Sequence, residues 1–143
     1  MEQHIIPDFI IVEAAGAVVI ALLYILLSSL VSEPNRQKLS AIIVAGAGAA
    51  YLSSGLGAWE FAFCSLMTFV AFKGLKQYHW IGIAWLLHTF WDIMHHLYAE
   101  PIVPFSPSSS AGCAVCDSIL ALWFFLQAPS VFEWIGKRIL KTT

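Results

Sequence analysis

The chain has 143 residues, of which 59% are hydrophobic and only 11% charged, with a formal net charge of −2. A water-soluble domain this small needs more charge to cover its surface, so the composition excludes an ordinary soluble fold and implies a single integral membrane domain over residues 1–143. The seven basic residues form three small clusters, Arg36 with Lys38, Lys73 with Lys76, and Lys137 with Arg138 and Lys141; membrane topology accounts for them, and no nucleic-acid partner is expected.

Residues 9–31 form a first apolar run carrying one charge, Glu13, long enough to span a hydrocarbon core of about 30 Å. The preceding segment has two acids and no Lys or Arg, which is not the basic start of a secretory signal. After the breaker Pro34, residues 39–54 are shorter and rich in small side chains. Ala41, Ala45, Ala49 and Ser53 recur every fourth position beside Gly46, Ala50 and Ser54, the pattern of a close-packed helix. At 16 residues this second span is short enough to be re-entrant. Gly55 and Gly57 mark a turn, and residues 58–75 return to Lys73 and Lys76. A fourth span covers residues 78–98. The proline- and serine-rich segment 100–111 cannot be a regular helix and reads as an ordered outer loop, with Ser109 or Ser110 as cap for a fifth span over 112–128. Beyond Pro129, Ser130 and Glu133 fit a capping box and open an amphipathic helix over 130–141 suited to the membrane interface. The expected fold is therefore an all-α bundle of five transmembrane helices plus this interfacial helix. With the N-terminus outside and the C-terminus in the cytoplasm, every basic residue falls on the inner side of the cell (inner) membrane.

The fourth span, YHWIGIAWLLHTFWDIMHHLY, carries the chemistry. At about 100° per residue, Asp92 lies about 40° from His88, His95 about 20° to the other side and His96 about 80° round. An aspartate at the centre of a span costs roughly 2.5–3.5 kcal/mol on insertion scales, so this stripe must face protein, water or a metal. The opposite face, Ile83, Leu86, Phe90, Ile93 and Leu97, suits lipid. Intramembrane ionisable residues are functional-site hypotheses by default. The topology places Glu13, Glu60, Cys113, Cys116 and Asp117 at a similar outer depth. Imidazole and carboxylate ligands suit zinc, with non-haem iron the alternative. His88, Asp92, His95, His96, Cys113 and Cys116 are the candidate ligands. Glu60 and Asp117 are candidate catalytic carboxylates, completing the shell or acting as general base on bound water. Three cysteines exclude a disulfide scaffold, while Cys113 and Cys116 form a CxxC pair at a helix start, open to a metal, redox or packing role.

The segments GAGAAYLSSGLGAWEFAF and WLLHTFWDIMHHLYAEPIVPFSPSSSAGCAVCDSILALWFF, with motifs HTxWDxxHHLY, PIxPF and GCAxCD, resemble a family of small bacterial integral membrane proteins known as a domain of unknown function. The resemblance extends from the first span to Pro129 and implies a helical membrane protein; it implies no activity or cofactor. The residues themselves leave several functions open. The first is a mononuclear metal hydrolase acting on a lipid or small apolar substrate, and the second is a metal-ion or proton binding or transport protein. A partner subunit with the polar cluster as interhelical glue and a thiol redox protein are the others.

Overall fold

A computed structural model describes residues 6–134. The described residues form helices α1 (Ile11–Ser29), α2 (Asn35–Ala47), α3 (Ala58–Gly74), α4 (Tyr78–Tyr98) and α5 (Ser109–Phe125). Residues 131–134 are helical again, and there is no strand among the described residues. The Glu133 N–H donates to Ser130 Oγ, one half of the expected capping box. The rest of the expected interfacial helix, with Lys137, Arg138 and Lys141, lies outside the described residues.

The sequence organises the bundle around α4, which packs against α2, α3 and α5, while α1 lies along α5 and touches α2. One side of α4 is fully committed to the interior. Ile81, Gly82, Ala84, Trp85, His88, Trp91, Asp92 and His95 are buried, whereas Leu86, Phe90 and Ile93 are exposed as the apolar face of the stripe requires. Gly82 permits the close approach of α5, since a Cβ there would stand 3.0 Å from the Phe125 ring and 3.1 Å from the Ala121 carbonyl.

Two elements depart from the sequence reading. Residues 39–54 are not one helix: α2 starts at Asn35, ends at Ala47 and gives way to turns. Its buried residues are Arg36, Ser40, Ala41 and Val44, followed by Gly48, which presses against Met67 of α3 where any Cβ would overlap. Ala41 of the first small-residue line is inside, while Gly46 and Ala50 are exposed. Thirteen residues of helix cover only about 20 Å, and the turns carry the chain the remaining distance. Glu100 N–H donates to the Ser54 carbonyl, so the tip of this hairpin meets the far end of α4. The second departure is α5, which begins three residues earlier than expected, with Ser108 as its N-cap. Ser109 and Ser110 do not cap it. Their hydroxyls instead accept from the Val103 and Ile102 N–H groups and tie the 101–108 loop down.

Within a mainly apolar core lies a group of buried polar side chains, while large apolar side chains are exposed outside. Glu60, His88, Asp92, His95 and Asp117 are all at most 5% exposed, while Phe61, Phe72 and Leu122 are 60% or more exposed. By length and composition, α1 is the one helix among the described residues that is long and apolar enough to cross a membrane, and α5 is a shorter apolar helix.

Candidate metal centre

The site is assembled from three elements, each with a local reason for its position. On α4, His88 and Asp92 are one helical turn apart and therefore neighbours. Asp117 comes from the third turn of α5, on the helix that packs closely against α4 at Gly82. The end of α2 supplies the Ala47 carbonyl, one of the terminal carbonyls a helix leaves without a full intrahelical partner.

His88 Nδ1 lies 2.7 Å from Asp117 Oδ2 and 3.3 Å from Asp92 Oδ2. Its other nitrogen, Nε2, is 2.8 Å from the Ala47 carbonyl oxygen. A carbonyl only accepts, so Nε2–H donates and the proton is fixed on that side of the ring. Tyr51, from the turns after α2, donates its hydroxyl to Asp92 Oδ1 at 2.6 Å, leaving Oδ2 for His88. Asp92 is 0%, His88 2% and Asp117 5% exposed. These three side chains form a buried group whose ligand atoms all lie within 4.8 Å of one another and that can hold a metal ion.

The remaining candidates divide. His95 is fully buried beside the group, stacked on Tyr51 at 3.9 Å between ring centres and edge-on to Trp91 at 5.5 Å. Its Nδ1–H donates to the Glu100 carbonyl at 3.2 Å, which leaves the Nε2 lone pair, buried and without a hydrogen-bond partner among the described residues. The Tyr51 ring is also 5.8 Å from the His88 ring, so it neighbours both histidines. His96 is half-buried and outside the three-residue group. Glu60 is buried on α3, but its carboxylate is occupied by backbone. Oε2 accepts from Ser53 N–H at 2.5 Å and Oε1 from Leu56 N–H at 2.9 Å, clamping the turn that carries Tyr51. Cys113 and Cys116 are free, half-buried thiols that line a cavity against α1; Cys113 is one helical turn from Asp117, yet neither thiol belongs to the three-residue group.

Sequence reasoning missed Tyr51 and the Ala47 carbonyl. Tyr51 was detectable in principle as the one large polar side chain in a run of Gly, Ala and Ser. A backbone carbonyl leaves no such signal. Also missed was a cluster at the other end of the bundle. There, Glu33 accepts from Arg36 Nη2 at 2.6 Å and from the Tyr78 hydroxyl at 2.6 Å, and Gln37 donates to the Gly74 carbonyl at 2.9 Å.

No curated protein and no solved structure matches the chain. Residues 12–130 match the model of the family of unknown function DUF6010, and the chain belongs to that family.

Proposed function

We propose that this is a multi-pass integral membrane protein whose His88–Asp92–Asp117 centre binds one divalent metal ion, zinc or alternatively iron. The observation that carries the metal reading is the balance of charge around His88. Two carboxylates are buried beside one imidazole whose far nitrogen already donates to a carbonyl. With both carboxylates ionised the group keeps a net negative charge even when that imidazole is protonated, and an uncompensated buried charge costs several kcal/mol unless a further proton or a cation joins it. A divalent ion with two carboxylates and a neutral imidazole sums to zero. A ligating histidine whose other N–H is held by a backbone carbonyl is the usual outer-shell arrangement of metal sites. A tetrahedral ion with bonds of about 2.0–2.1 Å separates its ligand atoms by roughly 3.3 Å. The His88–Asp92 pair is already at 3.3 Å, while Asp117, at 2.7 Å, would retreat slightly. The membrane reading rests on the outward Phe, Leu and Ile side chains of all five helices around a core that holds this polar group.

A hydrolytic role towards a lipid or small apolar substrate is the second reading. Three protein ligands leave a tetrahedral ion one position for water, the pattern of catalytic zinc. Asp117 is the most exposed of the three and directly follows Cys116, which lines a cavity.

Elemental analysis of the purified protein in detergent tests the centre. The expected result is about one equivalent of zinc or iron in the wild type. Asp92→Asn should lose it, while His96→Ala should keep it because His96 is outside the group. A wild type that neither carries metal nor takes up added zinc, and whose Asp92→Asn variant merely melts earlier, would overturn the proposal and leave a purely structural polar network.

A further inference from the structure

A cavity of about 320 Å³ lies between α1, α5 and the loop that precedes α5. It is separate from the three metal-centre residues, none of which lines it. Its existence is written into two glycines on its walls. Gly16 of α1 and Gly112 of α5 each have open space where a Cβ would sit, so neither is there to let helices touch. Elsewhere in this fold glycines do serve close contact, as at Gly82. Gly16 is also exposed, so the cavity opens sideways between the helices.

The lining is polarised along the helix axis. At one end Glu13 accepts from the Ile10 N–H at 3.0 Å and from the Ser108 hydroxyl, with Ser106 and Ser109 alongside. An ionised carboxylate has about four acceptor positions, so each Glu13 oxygen retains capacity for a further donor. No ion pair joins Glu13 to a cation among the described residues. Seven residues further along α1, about 10 Å at 1.5 Å per residue, the wall is Ile20, and Cys116 lies on the α5 side. An anionic, hydroxyl-rich cap over an apolar shaft that opens laterally matches an amphiphile with a donating head and a single tail.

We propose that this cavity binds a single-chain amphiphile with an amine head, which enters sideways from the bilayer and places its ammonium group on Glu13. The tail runs past Gly16 and Gly112 towards Ile20 and covers Cys113 and Cys116. An acidic head is disfavoured, because it would face the Glu13 carboxylate. The site rests on the membrane placement of α1 and α5 and is independent of metal at His88.

The two thiols make the site directly measurable, and Cys64 on α3, which does not line the cavity, is an internal reference. Protein in phosphatidylcholine nanodiscs is treated with N-ethylmaleimide, and the alkylation of each cysteine is followed by mass spectrometry. Dodecylamine is expected to slow modification of Cys113 and Cys116 severalfold and to leave Cys64 unchanged, with dodecanoate much less effective. Glu13→Gln should remove the preference for the amine. Gly16→Leu should fill the shaft, slow both thiols without any probe and abolish the effect of the amine, with Tm held. Should Gly16→Leu not fold, Gly112→Leu serves the same purpose from the opposite wall. Repeating the protection after treatment with a chelator should give the same result, which separates this site from the metal centre. Equal protection by dodecanoate, equal slowing of Cys64, or no protection by either probe would each overturn the proposal.

Discussion

At Asp92 each carboxylate oxygen has its own partner: Oδ1 receives the Tyr51 hydroxyl at 2.6 Å and Oδ2 faces His88 at 3.3 Å. That division orients the group, because a carboxylate rotated by its tyrosine partner would no longer present Oδ2 to the imidazole. Tyr51 also stacks on His95, so the ring has a packing role apart from its hydroxyl. Tyr51→Phe separates the two, keeping the stack and deleting the donor. Loss of an outer-shell partner of a metal ligand typically weakens binding about 10- to 100-fold, and loss of one interhelical hydrogen bond in a membrane bundle costs about 0.6–1.7 kcal/mol. The expected outcome is therefore a sharp fall in zinc affinity, read by competition with a chromophoric chelator, together with a small fall in Tm. An unchanged affinity with a lowered Tm would make the hydroxyl structural.

The α2–α3 hairpin delivers Tyr51 only because α2 stops at Ala47. The following turns include Ser53 with φ 75° and Gly55 with φ 107°, left-handed conformations that end any helix. Glu60 holds this shape by accepting two backbone N–H groups. In Glu60→Gln one end of the side chain becomes a donor and cannot accept, so either the Ser53 or the Leu56 N–H is left without its partner. A buried unsatisfied donor costs about 1–3 kcal/mol. The variant should melt earlier and show faster amide exchange confined to residues 51–56. Unchanged protection there would remove Glu60 from this role. The same hairpin shows what the sequence could and could not reveal. The bounds of α4 were legible because a largely apolar run from Tyr78 to Tyr98 lies between Gln77 and the Glu100–Pro101 break. The stripe on α4 was legible because helical spacing puts His88 and Asp92 on one face, and Asp117 was legible as a carboxylate at matching depth. The end of α2 was not, because Gly, Ala and Ser are compatible with a packed membrane helix and with turns alike. The task of Glu60 was equally hidden, since a carboxylate that binds main chain has no partner residue to find. His95 shared the stripe with His88, yet it stacks on the Tyr51 ring, which arrives from outside α4, and no helical projection of α4 alone contains that.

Taken whole, the molecule has two chemically distinct ends. At one, Arg36 meets Glu33 and Tyr78, Gln37 binds the Gly74 carbonyl, and Lys38, Lys73 and Lys76 lie in the same or adjacent turns. Ser130 Oγ donates to the Ser29 carbonyl and brings the start of the last described helix to that end. The opposite end joins Ser54 to Glu100 and Glu13 to Ser108 and carries no Lys or Arg among its described residues. Excess Lys and Arg mark the cytoplasmic side of multi-pass proteins, so in the proposed multi-pass arrangement the Arg36 end is expected inside, with the His88–Asp92–Asp117 group and the α1–α5 cavity expected towards the outer half. This arrangement is testable because both ends offer exposed positions: Phe105 is 90% exposed in the loop before α5, and Lys38 is exposed at the start of α2. With Cys64, Cys113 and Cys116 replaced by alanine, Phe105→Cys and Lys38→Cys are introduced singly and treated with a membrane-impermeant maleimide. Labelling of Phe105→Cys in intact cells, and of Lys38→Cys only after lysis, is the expected result. The reverse pattern would invert the orientation. Labelling of both positions from one side would mean that α2, α3 and α4 make an even number of crossings, none or two, rather than three. It would overturn the five-span arrangement, and the depth of the buried His88–Asp92–Asp117 group would have to be explained without it.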